Sequence, residues 1–199
     1  MSIELPTDLT PELVPLSWLL GTWEGTGRLG EGDADSEHFG QRMTFEQHGL
    51  PYLQYTAESW LTDEQGSRLR PLSVETGFWA LDRKLNDADV GPGLSPADIV
   101  PALKTADEVE HFRNEAGGFD ITATIVHPGS IAELYYGTIK GPQIQLSTDV
   151  VMRGQHSKEY AAATRLFGLV GGDLYWRWDV AASGNALQAH ASAILKKLS

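Results

Sequence analysis

The spacing of hydrophobic and polar positions changes once along this chain, at Gly21. Before it, Leu13, Leu16, Leu19 and Leu20 fall near helical spacing. Thr10 stands where an N-cap belongs, and Pro11 suits the first helical position because it has no N–H to satisfy. This predicts a short N-terminal helix that Gly21 stops. From Gly21 onward the period is two, as in strands with one buried face. Gly21, Trp23, Gly25 and Gly27 alternate with Thr22, Glu24 and Thr26, which predicts a first strand over 21–29. Further strands are predicted over 39–48, 52–62, 72–81, 109–114, 119–127, 131–139, 143–152, 159–169, 174–180 and 187–198. Gly117-Gly118, Pro128-Gly129, Gly141-Pro142, Gly171-Gly172-Asp173 and Ser183-Gly184-Asn185 supply turn chemistry between them.

Short strands at regular spacing predict an all-β fold: about ten antiparallel strands in an up-and-down β-barrel. Closure removes edge strands, and at that size the interior has room for a ligand. The strand pattern fails over 82–109, where Gly91, Pro92, Gly93, Pro96 and Pro101 cannot all enter a ladder. That stretch reads as a surface insertion, with one or two helical turns from Ser95-Pro96 that Pro101 limits. The whole chain, 1–199, reads as one domain. On the insertion, Leu94, Ile99, Val100 and Leu103 offer an apolar contact for a homodimer.

Composition narrows the chemistry. The absence of Cys excludes disulfides and thiolate metal sites. A net charge of -12 opposes a non-specific grip on nucleic acid or anionic membrane. Met1 to Leu13 carries Glu4, Asp8 and Glu12 and no basic residue, so no signal-peptide pattern is present. No apolar run is long enough to span a bilayer. The expectation is a soluble cytoplasmic protein with a small-molecule ligand.

No Gly-x-Ser-x-Gly elbow, phosphate-binding loop or His-Glu-x-x-His helix occurs. The histidines at 38, 48, 111, 127, 156 and 190 are scattered. His48 and His127 adjoin Gly49 and Pro128 and read as exposed turn positions, while His38, His111 and His156 lie among polar neighbours. His190 differs, because it sits in LQAHASAIL among small apolar residues. Alternation groups it with Ser192 and Ile194, opposite Ala191, Ala193 and Leu195. Two readings stand: a satisfied core or rim histidine, which the residue pattern alone puts first, or the single nitrogen ligand of a metal held in a flat ring. The glycines of the first strand likewise either permit curvature or leave room for a ligand.

The stretch LSWLLGTWEGTG, with its GxWxGxG pattern at Gly21, Trp23, Gly25 and Gly27, resembles the nitrobindin family. FGQRMTF, ETGFW, ELYYG, KEYAAATRLFGLVGGDLYW and the closing HASAILKK are similar to the corresponding family segments, from Leu16 almost to the C-terminus. The resemblance implies a lipocalin-like or fatty-acid-binding-protein-like barrel that holds ferric heme b. It implies that the protein isomerises peroxynitrite to nitrate and binds nitric oxide. His190 would then be the axial iron ligand and the residue through which catalysis runs. Lys158 would meet a heme propionate, its other reading being a solvated strand-end lysine. Gly32-Asp33-Ala34-Asp35 departs from the Tyr-Pro-Thr that many members carry after the first strand, and the insertion is longer than usual. The alternative is a non-enzymatic carrier of a fatty acid or other small apolar ligand.

Overall fold

The computed structural model describes residues 9–30, 37–87, 89, 91 and 100–198. Ten strands form one closed barrel: β1 (Gly21–Leu29), β2 (His38–Glu46), β3 (Leu53–Thr62), β4 (Arg68–Leu81), β5 (Phe119–His127), β6 (Ile131–Lys140), β7 (Gln143–Arg153), β8 (Tyr160–Val170), β9 (Asp173–Ala182) and β10 (Gln188–Lys197). Each pairs antiparallel with the next, and β10 returns to pair with β1. This is the up-and-down barrel that the period-two pattern predicts.

Two expectations need correction. The N-terminal segment is not one helix but two 3₁₀ turns, Pro11–Leu13 and Ser17–Leu19. Pro15 lies between them and has no N–H to continue a helical ladder. Thr10 makes no side-chain cap and instead donates its hydroxyl to the Leu50 carbonyl at 3.1 Å. The strand expected over 109–114 is also absent. The chain there forms a short helix, α1 (Ala106–Glu110), started by a Thr105/Glu108 capping box, and only Arg113 bridges to β5. The helical turns expected from Ser95, and the contact residues Leu94 and Ile99, lie outside the described residues, as does Gly32-Asp33-Ala34-Asp35.

One end of the barrel is plugged by aromatic rings. Trp23, Phe45, Tyr55, Trp79 and Phe167 are fully buried, and Trp79 meets Phe45 and Phe167 edge-on at 5.5 and 5.2 Å. The Trp23 indole N–H donates to the Leu19 carbonyl at 2.7 Å, which pins the N-terminal turns beneath the plug. Arg83, just past β4, holds the same segment through Glu12 at 3.1 Å and also pairs with Asp89.

The GxWxGxG strand closes the barrel. A Cβ on Gly25 would stand 2.1 Å from the Ile194 carbonyl oxygen, and one on Gly27 would stand 2.3 Å from that of Ser192. A Gly27 side chain would also strike the Phe39 ring at 2.5 Å. The two glycines therefore let β10 lie close against β1 and let Phe39 turn inward. Gly25→Val should destabilise the protein by about 1–3 kcal/mol through this collision. Urea unfolding checks it, with outward-facing Thr26→Val as the control expected to stay near wild type.

Candidate functional site

At the end away from the plug, where β1, β3 and β5 finish, the barrel holds a cavity of about 300 Å³. Leu29, Phe39 and Gln41 line it from β1 and β2, while Trp176, Trp178 and His190 line it from β9 and β10. Ser59, Ser73, Glu75 and His127 supply most of its remaining polar surface.

Strict alternation would carry His190 outward, as it does Ser192 and Ile194, which are exposed. The β9–β10 register slips between the pairs Ala189–Asp179 and Ala191–Trp178, leaving His190 as the extra residue of a β-bulge. A bulge re-aims the side chain it carries. His190 thus lines the cavity together with its neighbour Ala191, at a rim still open to solvent. The grouping of His190 with Ser192 and Ile194 fails for this reason. A second bulge, in the β3–β4 pairing, makes Leu72 an extra residue beside Pro71 and turns it to the same cavity. Desolvation, and then the positive charge of Arg165, push the His190 pKa below its ordinary value. Both favour a neutral imidazole, the form that coordinates a metal.

Next to His190 is Trp178, whose ring meets it edge-to-face at 4.8 Å. Beyond Trp178 lies a buried ion network that braces the barrel from within. Arg165 on β8 grips Glu75 on β4 with two hydrogen bonds, Nη1 to Oε1 at 2.6 Å and Nη2 to Oε2 at 2.9 Å. Its Nε donates to the Tyr135 hydroxyl at 3.1 Å, and Nη2 lies 3.6 Å from Glu133. His127 bridges the two carboxylates, Nδ1 at 3.2 Å from Glu75 and Nε2 at 2.6 Å from Glu133. Carboxylates only accept, so the His127 nitrogen that faces Glu133 is the donor of that bond. Tyr55 donates to Glu75 at 2.5 Å, Tyr135 donates to Glu133 at 2.8 Å, and Tyr160 also donates to Glu133. Burial pushes all three phenols upward, so they remain protonated donors.

Sequence reading missed this network. His127 is not an exposed turn residue; its side chain is 12% exposed and points inward. The signal was its phase: Ile121, Ala123 and Ile125 are buried, and His127 continues their alternation. Glu75, Glu133 and Arg165 likewise sit in phase with Trp79, Tyr135 and Phe167. A charged residue on the apolar phase of a strand marks a buried partner across the barrel.

Lys158 lies in the connection between β7 and β8, exposed, and does not line the cavity. Its backbone carbonyl accepts a bond from Arg153 at 3.3 Å. His38, His48, His111 and His156 are exposed. Gln41 is buried and donates Nε2 to the Ser59 hydroxyl at 3.0 Å, while the indole N–H groups of Trp176 and Trp178 lack partners. Among the described residues, no three His, Asp or Glu side chains are grouped to hold a bare metal ion. A cavity walled by Phe39, Trp176, Trp178 and Ala191, with the His190 imidazole at its rim and the His127 imidazole already engaged by Glu75 and Glu133, fits a flat apolar ring whose metal needs one protein ligand.

The model of the THAP4-like, heme-binding beta-barrel domain matches residues 12–197. The peroxynitrite isomerase of Renibacterium salmoninarum is 77% identical over 197 residues, covering 99% of this chain and 94% of that protein. The peroxynitrite isomerase of Paenarthrobacter aurescens is 74% identical over 199 residues, with both chains fully covered. The crystal structure of Rv2717c from M. tuberculosis superposes with a TM-score of 0.66 at 23% identity, covering 98% of this chain and 100% of that one, and so shares the fold. No helix among the described residues is long and apolar enough to cross a membrane.

The network carries a pH signature. Burial alone would raise the Glu75 pKa, but Arg165, His127 and the Tyr55 hydroxyl overcome it and lower the carboxyl from 4.5 to about 2. A depressed carboxylate stabilises the fold fully above its unfolded pKa, and that contribution fades as pH falls through the folded value. Wild type should therefore lose this contribution between the two values given above. Glu75→Gln should flatten that limb and cost about 3–5 kcal/mol at neutral pH by stranding Arg165. Tm measured against pH for both proteins checks this.

Proposed function

The chain belongs to the THAP4-like heme-binding β-barrel family, and on that premise we propose that it binds heme through His190 and isomerises peroxynitrite to nitrate. The observation that carries this reading is the β10 bulge, which turns one neutral imidazole into an apolar cavity against the parity of its strand. A heme held there by His190 would supply an iron able to bind a small oxidant or nitric oxide. The chain's own work is to hold and shelter that group. Ala191, packed against Trp178 in the ladder, gives no bulk to block the imidazole, and Phe39 and Trp176 keep water from the inner wall. Peroxynitrite and nitrate have the same composition and charge, so the overall reaction takes up and releases no proton. The family pattern assigns Lys158 to a propionate, supported by its exposed ammonium group in the β7–β8 connection.

A fatty-acid carrier would need a buried cation free to take a carboxylate. Arg165 is the buried guanidinium facing the interior, and Glu75 and Tyr135 already occupy it. The heme reading is therefore the stronger.

Hemin titration into the purified protein should give a Soret band characteristic of a histidine-bound iron. His190→Ala should alter that band and weaken hemin binding by about tenfold or more, since even the supports of a metal ligand are worth that much. The loaded wild type should accelerate peroxynitrite decay beyond free hemin at equal concentration. A band identical in His190→Ala and wild type would overturn the ligand assignment, and decay no faster than with free hemin would overturn the isomerase assignment.

A further inference from the structure

We propose that Trp178 is a positioning residue for His190, and that the buried pair Arg165 and His127 fixes Trp178 for that task. The inference rests on the reading of His190 as a heme ligand. His190 is the unpaired residue of a bulge, so the ladder restrains its backbone less than its neighbours'; its carbonyl accepts from Gly30 N at 2.9 Å. Its strand neighbours Ala189 and Ala191 carry only methyl groups and cannot steer an imidazole. The ring contact that sets its orientation is Trp178, at 4.8 Å with the planes 88° apart.

Trp178 is itself held by its rings and not by its N–H, which has no partner. The Arg165 guanidinium carbon lies 4.4 Å from the ring centroid, and the His127 ring stacks on Trp178 at 5.7 Å with planes 7° apart. Arg165 is locked by its two bonds to Glu75, and His127 by Glu75 and Glu133. Orientation therefore passes from bonded side chains on β4, β5, β6 and β8, through an indole on β9, to an imidazole on β10. A packed, hydrogen-bonded support of this kind gives a metal ligand its precision.

Trp178→Met tests this, because methionine fills the apolar space without presenting a ring face. In the hemin-free protein, the ring current of Trp178 should displace the His190 imidazole proton resonances, and Trp178→Met should return them to ordinary positions. In the ferrous hemin-loaded protein, Trp178→Met should shift or broaden the iron–imidazole stretching band and speed hemin release to apomyoglobin about tenfold. Trp178→Phe, which keeps an aromatic face, should restore most of both properties. If Trp178→Met changes thermal stability alone, leaving band, release rate and proton resonances as in wild type, the proposal is overturned. If the wild type lacks an iron–imidazole band, or His190→Ala retains it, the heme reading of His190 fails instead. A variant that does not fold shows itself in the proton spectrum, and Trp178→Leu, a second apolar residue without a ring, then decides by its hemin release. A rate above wild type but within the tenfold supports the role, and a rate equal to wild type removes it.

Discussion

A buried ion network braces this barrel, and the cavity above it depends on that brace. Arg165, Glu75, Glu133 and His127 come from four different strands and meet inside the wall. Any ionised group left alone in such a place would cost several kcal/mol, which is why the two carboxylates meet a guanidinium and an imidazole, with three tyrosine hydroxyls donating to the remaining acceptor sites. The brace converts a ring of strands, each bonded only to its neighbours, into a structure fixed across its diameter. Below it the interior is filled by aromatic rings. Above it the walls stand apart and leave the cavity.

Closure sets the other constraint. Gly25 and Gly27 allow β10 to lie against β1 at distances that no side chain tolerates, and this seam carries His190 to the cavity rim. The glycines bear no reactive atom. Their role is to place the strand that does. Two bulges at the same rim, at Leu72 and His190, then turn inward residues whose parity would point them out. The rim is shaped by departures from the ladder, while the plugged end follows it strictly.

This division explains what the sequence disclosed. Regular alternation and turn residues were enough for nine predicted strands and the first, because each is a local pattern. The segment 109–114 misled because Val109 and Phe112 are strand-favouring residue types, although their spacing of three is helical, and the deciding Thr105-x-x-Glu108 box lies just outside it. His190 was legible through its small neighbours and through the resemblance, but its direction was not, since a one-residue register slip is a property of two strands together. The ion network was hidden for the same reason. Its members lie up to 90 positions apart in the chain, and only their shared apolar phase announced them.

The chain thus combines a barrel frame with a cavity to which a bulge delivers the His190 imidazole, supported by a charged core. In the proposed function, His190 is the protein's bond to iron, with the brace intact behind it. A crystal structure of the hemin-loaded protein tests this most directly. The expected result is a His190 ring nitrogen on the iron, Trp178 still edge-on to that ring, and Arg165 still paired with Glu75. Iron held by any other residue, or heme seated outside the barrel mouth with His190 free, would contradict it.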